Sequence, residues 1–233
     1  MPHQALVSFP DMGEIQEVGR LIAADTGGFT GGKLHLFAEA GRYTLESSLQ
    51  NGLKPHHHLL DLGCGALRNG YWLIRFLDSG CYFGIEPVER YVRIGLKHAV
   101  GPELAAEKNP RFDHGRNFDF SVFGVKFDFV VARSIFSHAS ADQIEVAMAS
   151  FRENSSERAV MLSSYAPAPN RPAHAIADET PRDSRWATRA HSRLRRYSLD
   201  FLQTLATRYG LSVVDFGDRY NGQVWLRVTR AGV

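Results

Sequence analysis

The residues best suited to chemistry sit together in the stretch HHLLDLGCGALRNG, residues 57–70. An apolar run ends in Asp61, and Gly63, Gly65 and Gly70 follow within nine residues. Glycine accepts backbone angles that side chains forbid, so such a turn lets the main chain approach a ligand closely. A helix starting beyond it would offer free N–H groups and a positive dipole end. A second apolar run, CYFGIEP, delivers Glu86 23 residues after Gly63. A carboxylate at about that interval grips ribose hydroxyls in nucleotide-binding folds. A turn for close approach and an acid for a ribose together predict a nucleotide-like ligand.

Further candidates follow other apolar runs. The run KFDFVVARS leads into SIFSH, so Arg133, Ser134 and His138 fall where a strand hands over to a loop. His138 is the candidate general base, since imidazole titrates near neutral pH; a helix-entry or core histidine is the alternative. Tyr165 ends the run RAVMLSSYA, where it either touches a ligand or packs. Cys64, between two glycines, is expected to reach a ligand through its backbone alone. His56, His57 and His58 are consecutive, and neighbours on an extended chain point apart, which disfavours a metal site. Seven arginines lie between Arg171 and Arg196, with His174, Trp186 and His191 interleaved. Guanidinium forks suit a carboxylate, sulfate or phosphate. Asp178, Glu179 and Asp183 nearby fit a solvated loop equally well.

These residues need elements that end in the right places. Leu45 and Leu49, with Gly52 and Pro55 as a stop, predict a helix from about 42. HHLLDLG reads as a short strand, and Leu67, Tyr71, Ile74 and Leu77 as a helix ending near Gly80. CYFGIEP is a second strand, followed by a helix through Val88, Val92, Leu96 and Ala99. RFDHGRNFDF holds a weak strand and KFDFVVARS a strong one. ADQIEVAMASFRE is a helix with Ile144, Ala147, Met148 and Phe151 on one face, and RAVMLSSYA is a buried strand. Ser198 can cap a helix bearing Phe201, Leu202, Leu205 and Tyr209, with Gly210 past its end. LSVVDFGDR and QVWLRVTR, joined by YNG, predict an antiparallel hairpin. Residues 1–40 lack clear periodicity. The alternation predicts an α/β fold: a doubly wound, mainly parallel seven-stranded sheet with an antiparallel final strand, its crossovers right-handed. Neither a repeat nor a linker divides the chain, so one domain over 42–233 with an extension at 1–41 is expected. Ligands in such sheets sit beyond the carboxyl ends of the strands, near the point where strand order reverses.

The whole-chain numbers narrow the class. With 233 residues, 44% hydrophobic and 22% charged, the chain can bury a real core and is not of disordered composition. A net charge of +2 argues against a dedicated nucleic-acid binder. Two cysteines, Cys64 and Cys81, make neither a disulfide framework nor a zinc spacing and favour a reduced interior. No signal peptide or membrane span is evident, so a cytoplasmic protein without a membrane partner is expected.

The dinucleotide pattern G-x-G-x-x-G would need glycine or alanine where this chain has Arg68, which argues against a nicotinamide-dependent oxidoreductase. Asp61, Gly63, Gly65 and the later Gly70 instead resemble motif I of the class I S-adenosylmethionine-dependent methyltransferases. The resemblance continues through YFGIEP, which implies Glu86, with Pro87, at the ribose. RNFDF is similar to the segment that meets the adenine, implying Asn117 and Phe118. FDFVVARSIFSH resembles the fourth-strand segment facing cofactor and acceptor, implying Arg133, Ser134 and His138. It covers roughly 42–233 and implies a Rossmann-like sheet, S-adenosyl-L-methionine as cofactor, and a cofactor set of Asp61, Gly63, Cys64, Gly65, Glu86, Pro87, Asn117, Phe118, Arg133 and Ser134. Residues 1–41 become a candidate lid, and the Arg-rich insertion at 166–197 overhangs the acceptor. The implied activity is methyl transfer by in-line displacement to oxygen or nitrogen of a polar small molecule, for which an anionic group would suit the arginines. The loop after the fourth strand, ARSIF, lacks the acidic or Asn-Pro-Pro-aromatic motif of amino-methylating nucleic-acid enzymes. A binding module without turnover is the remaining alternative.

Overall fold

In the computed structural model, which describes residues 11–28, 33–168, 180–181 and 193–232, β1 (Leu59–Leu62) pairs in parallel with β2 (Tyr82–Ile85) and with β4 (Phe127–Ala132). β3 (Arg111–Asp113) continues the sheet beyond β2, and β5 (Ser155–Pro167) continues it beyond β4, both in parallel. The last two strands, β9 (Leu211–Tyr220) and β10 (Gln223–Arg230), form the expected hairpin, with β10 antiparallel to β5. The order is therefore β3-β2-β1-β4-β5-β10-β9, and it reverses between β1 and β4. A two-residue β8 (Arg196–Tyr197) adds to the end of β5, and β6 (Thr180–Pro181) pairs with β7 (Arg193–Leu194) apart from the main sheet.

Strand side chains alternate between two cores. Leu59, Phe129, Val131, Leu162 and Trp225 pack toward α1 (Met12–Thr26), α2 (Phe37–Gln50), α3 (Arg68–Phe76) and α4 (Glu89–Gly95). Leu60, Leu62, Phe83, Val130 and Met161 pack toward α6 (Ala141–Asn154) and α7 (Leu199–Thr207). Between α4 and α5 (Pro102–Lys108) the chain makes one π-turn, Leu96–Val100. Ser140 and Gln143 close a capping box on α6, and Ser198 caps α7 as its position suggested.

Several elements depart from expectation. α1 lies in the region without obvious periodicity, because its buried stripe of Ile15, Gly19 and Ile22 includes a glycine. That glycine is needed: a Cβ there would stand 2.6 Å from Cγ of Phe37, so α1 and α2 touch through it. α2 begins at Phe37, ahead of the expected boundary at 42, and Leu49 faces solvent while Thr44, Leu45 and Ser48 face inward. RFDHGRNFDF does hold a weak strand, the three-residue β3, which stops where Asp113 turns the chain by accepting from Gly115 N. Gly70 falls inside α3 and not in the turn before it. Residues 1–10 and most of the Arg-rich insertion lie outside the described residues. No described helix is long and apolar enough to cross a membrane.

Candidate cofactor and acceptor site

The carboxyl ends of β1, β2 and β4 bring the predicted residues to one edge. Gly63 and Gly65 take left-handed angles, φ 73° and 55°, and Leu67, at φ 60°, stands just before α3 as its N-cap. The turn is pinned to its neighbour strand, with Gly63 N and Cys64 N both donating to Ile85 O at 2.8 and 3.1 Å. A Cβ on Gly63 would stand 2.1 Å from Cδ1 of Ile135, whereas one on Gly65 would meet nothing within 4 Å. One glycine thus admits the β4 exit loop, and the other leaves the rim of the turn open. Glu86 is fixed at that rim: Oε2 accepts from Gly65 N at 3.1 Å, and Oε1 accepts from Val88 N at 2.9 Å. Pro87 bridges these two contacts, and His114 Nδ1 holds Glu86 O at 2.8 Å.

Asp61 lies beneath the turn, with no exposed surface. Tyr82 OH donates to Oδ2 at 2.9 Å and Asn69 Nδ2 to Oδ1 at 3.4 Å. Burial raises its carboxyl to about 6, against the pull of these bonds and of Arg133 and Arg68. Asp61 therefore braces α3 and β2 under the turn. The Cys64 side chain points down to Gly84, where an added Cβ would be 2.8 Å from Sγ, and burial pushes its thiol well up. Only its backbone stays at the turn.

The other side of the edge is the β4 exit. Arg133 donates from Nη1 to Ala40 O at 2.8 Å, and its guanidinium lies 5.1 Å from the centre of the Tyr220 ring. Ser134 adopts φ 59°, an unusual angle for a residue with a side chain. Its N–H donates to Ser164 Oγ at 2.7 Å, and its Oγ bonds the amide of Gln223, to which Ser164 Oγ also donates. His138 sits four residues on, on the same short turn, with its N–H on Ile135 O at 2.9 Å. Tyr165 is buried in the α6–α7 core, so of its two expected roles the structure gives it packing. Asn117 is exposed and lines a groove of about 470 Å³ against α6, while Phe118, at φ 52°, packs on the same core. The three histidines precede β1 at the opposite edge, where His58 Nδ1 meets Lys126 O.

Sequence reasoning missed a third wall, the β9–β10 hairpin. Tyr220 lies 4.5 Å, centre to centre, from Tyr43 of α2. Asp218 accepts from Ser47 Oγ at 2.9 Å and from Tyr43 OH. Gln223 opens β10, which runs antiparallel to β5, so its side chain begins at the carboxyl edge. The only signal for these residues was strand order: once the hairpin is placed beside β5, the YNG turn must face the site.

A family model for a methyltransferase domain matches residues 34–215. Among solved structures, the S-adenosylhomocysteine (SAH) complex of DhpI is similar at 14% identity and TM-score 0.60, covering 95% of this chain and 98% of that one. Magnesium protoporphyrin IX methyltransferase from Synechocystis PCC 6803, with SAH bound, is similar at 16% identity and TM-score 0.62, covering 92% and 94%. The glycopeptide N-methyltransferase MtfA is similar at 16% identity and TM-score 0.59, covering 82% and 90%. Among curated proteins no sequence matches the chain. Glycine turn, strand-end acid, reversed strand order and family model agree: the chain belongs to the methyltransferase-domain family, in the class I S-adenosylmethionine-dependent group that its motifs resemble.

Proposed function

We propose that this chain methylates oxygen or nitrogen of a polar small-molecule acceptor, with S-adenosylmethionine held across the edge from Glu86 to the β4 exit. The observation that carries this is Glu86 fixed at the rim of the glycine turn, beside the open face at Gly65. The residues fit the cofactor. Glu86 can accept ribose hydroxyls, backbone N–H groups line the turn, and Asp61 adds negative charge below. Asn117 and Phe118 are assigned to the adenine side, and Arg133 and Ser134 to the β4 exit that faces both cofactor and acceptor. S-adenosylmethionine supplies a methyl carbon on a positively charged sulfur. What the protein adds is alignment and exclusion of water, which can carry much of the acceleration. The Ser134–Gln223–Ser164 bonds hold the β4 exit still, and His138 on that turn is the candidate acceptor of a hydroxyl proton. The N-terminal extension is assigned as a roof over the cofactor. Its described helix α1 is tied to α4 and the π-turn that follows it, where Arg90 donates to Asp25 O and Lys97 pairs with the Asp25 carboxylate. A protoporphyrin and a glycopeptide methyltransferase among the similar structures support an acceptor other than nucleic acid.

Calorimetry with SAH tests the cofactor site. Glu86→Ala is expected to weaken binding by about 1–3 kcal/mol, the loss of a charged hydrogen bond. Unchanged affinity would remove the main support for this assignment.

A further inference from the structure

Four side chains close a ring of hydrogen bonds between the β4 exit, the end of β5 and the first residue of β10. The Ser134 N–H can only donate, and it does so to Ser164 Oγ at 2.7 Å. Ser164 therefore gives its own proton to another group, Gln223 Oε1 at 2.5 Å. That bond settles which end of the Gln223 amide is oxygen. The other end, Nε2, donates to Ser134 Oγ at 2.9 Å and more loosely to Ser137 Oγ at 3.4 Å. Ser137 Oγ in turn donates to Ser134 O at 3.0 Å. The ring starts and ends on the two backbone groups of Ser134, and so supports its unusual φ of 59°.

Ser137 and Ser164 have no exposed surface, and buried hydroxyls keep their bonds. Ser134 is only half-buried, and its proton is the one that the ring does not need. The acceptor within the ring for that proton is Gln223 Oε1 at 3.1 Å, an oxygen that Ser164 holds more closely. The neighbouring residue shows which flank the hydroxyl takes. A Cβ on Gly63 would stand 2.1 Å from Ile135 Cδ1, so Ile135 faces the glycine turn, whereas Ser134 faces β10. The hydroxyl therefore lies on the flank of the β4 exit away from the glycine turn.

We infer that Gln223 is a positioning residue for the Ser134 hydroxyl: its amide donates to that oxygen and turns the proton out of the ring, toward an oxygen lone pair of the methyl acceptor. The role rests on the proposed function and narrows its substrate class to acceptors that carry such an oxygen, as a hydroxyl, carbonyl or carboxylate. Proton NMR of the full chain with SAH tests it. In wild type the hydroxyl protons of Ser137 and Ser164 are expected to be protected from exchange, and that of Ser134 is not. A carboxylate cannot donate, so in Gln223→Glu the Ser134 proton turns inward and a third protected hydroxyl appears. If the ring served structure alone, the Ser134 proton would already be protected in wild type, and that result overturns the proposal. Two protected hydroxyls in both proteins would remove Gln223 as the cause and overturn it equally. Dimethyl sulfoxide, which has a lone-pair oxygen and no proton to give, stands in for the acceptor. Titrated into the SAH complex, it should shift the amide signal of residue 134 in wild type, and the shift should be lost in Ser134→Ala and in Gln223→Glu. No shift in wild type, or an equal shift in Ser134→Ala, also overturns the proposal. Calorimetry with SAH on the same samples keeps the two readings apart. If wild type does not bind SAH, the cofactor reading fails first and this role falls with it, whereas SAH bound with the Ser134 proton protected sinks the hydroxyl role alone.

Discussion

Asp61 shows how a residue can be read correctly as a motif and still be misplaced in its role. Its spacing from Gly63 marked it for ligand contact, yet it lies fully buried, bonded to Tyr82 and Asn69. Sequence gives the position of such an acid relative to the turn, not which side of the backbone its carboxylate takes; the period-two alternation of β1 decides that. Burial raises its carboxyl from 3.8 to about 6. The folded protein therefore holds this proton more tightly than the unfolded chain. Its contribution is fully favourable below pH 3.8 and is lost as pH rises through about 6. Asn69 Oδ1 is buried without a hydrogen-bond partner. An amide at position 61 could donate to it once Asn69 turns over. Asp61→Asn is expected to raise stability at pH 7.5, by on the order of 2–3 kcal/mol, and to leave it nearly unchanged at pH 4. Urea unfolding at both pH values decides this, and an equal effect at the two would remove burial as the cause. Glu86, by contrast, sits where its interval from Gly63 put it, because two parallel strands joined by one helix fix that distance.

Strong periodicity made the central elements legible, and small residues hid the rest. β1, β2, β4, β5, α3, α6, α7 and the hairpin all follow the apolar runs that announced them. α1 escaped because its inner face uses Gly19, and the start of α2 because Ala38, Ala40 and Gly41 carry little hydrophobic signal. These small residues are what let helices come close. A Cβ on Gly41 would stand 2.5 Å from Cδ1 of Trp72, so α2 rests almost directly on α3. Gly41→Ala is expected to force the two helices apart and to cost about 1–3 kcal/mol, as overpacking does. It should also weaken SAH binding, because α3 carries the end of the glycine turn. Chemical denaturation and calorimetry on the same variant check both effects, and a normally stable variant with normal affinity would refute the close packing.

The molecule as a whole places its candidate cofactor edge over the centre of one sheet, with helical cores on both faces. A ligand bound there stabilises the entire fold by mass action, about 2.7 kcal/mol at a hundredfold excess over Kd. For a chain of this size that is a rise of roughly 5–10 °C in Tm. Thermal unfolding should show it with SAH and not with NAD; the reverse order would restore the oxidoreductase alternative. The hairpin's anchorage has a further consequence, for the order in which the chain assembles. Gly65 and Glu86 are 21 positions apart, whereas Ser47 and Asp218 are 171 apart. Contacts between distant positions bear a larger loop-closure entropy and slow the folding of the regions that depend on them. Pulse-labelled hydrogen exchange should then find amides of β1 and β2 protected before those of β9 and β10. A newly made chain would in that case have its glycine turn and Glu86 in place while the flank carrying Tyr220 and Asp218 is still unbuilt.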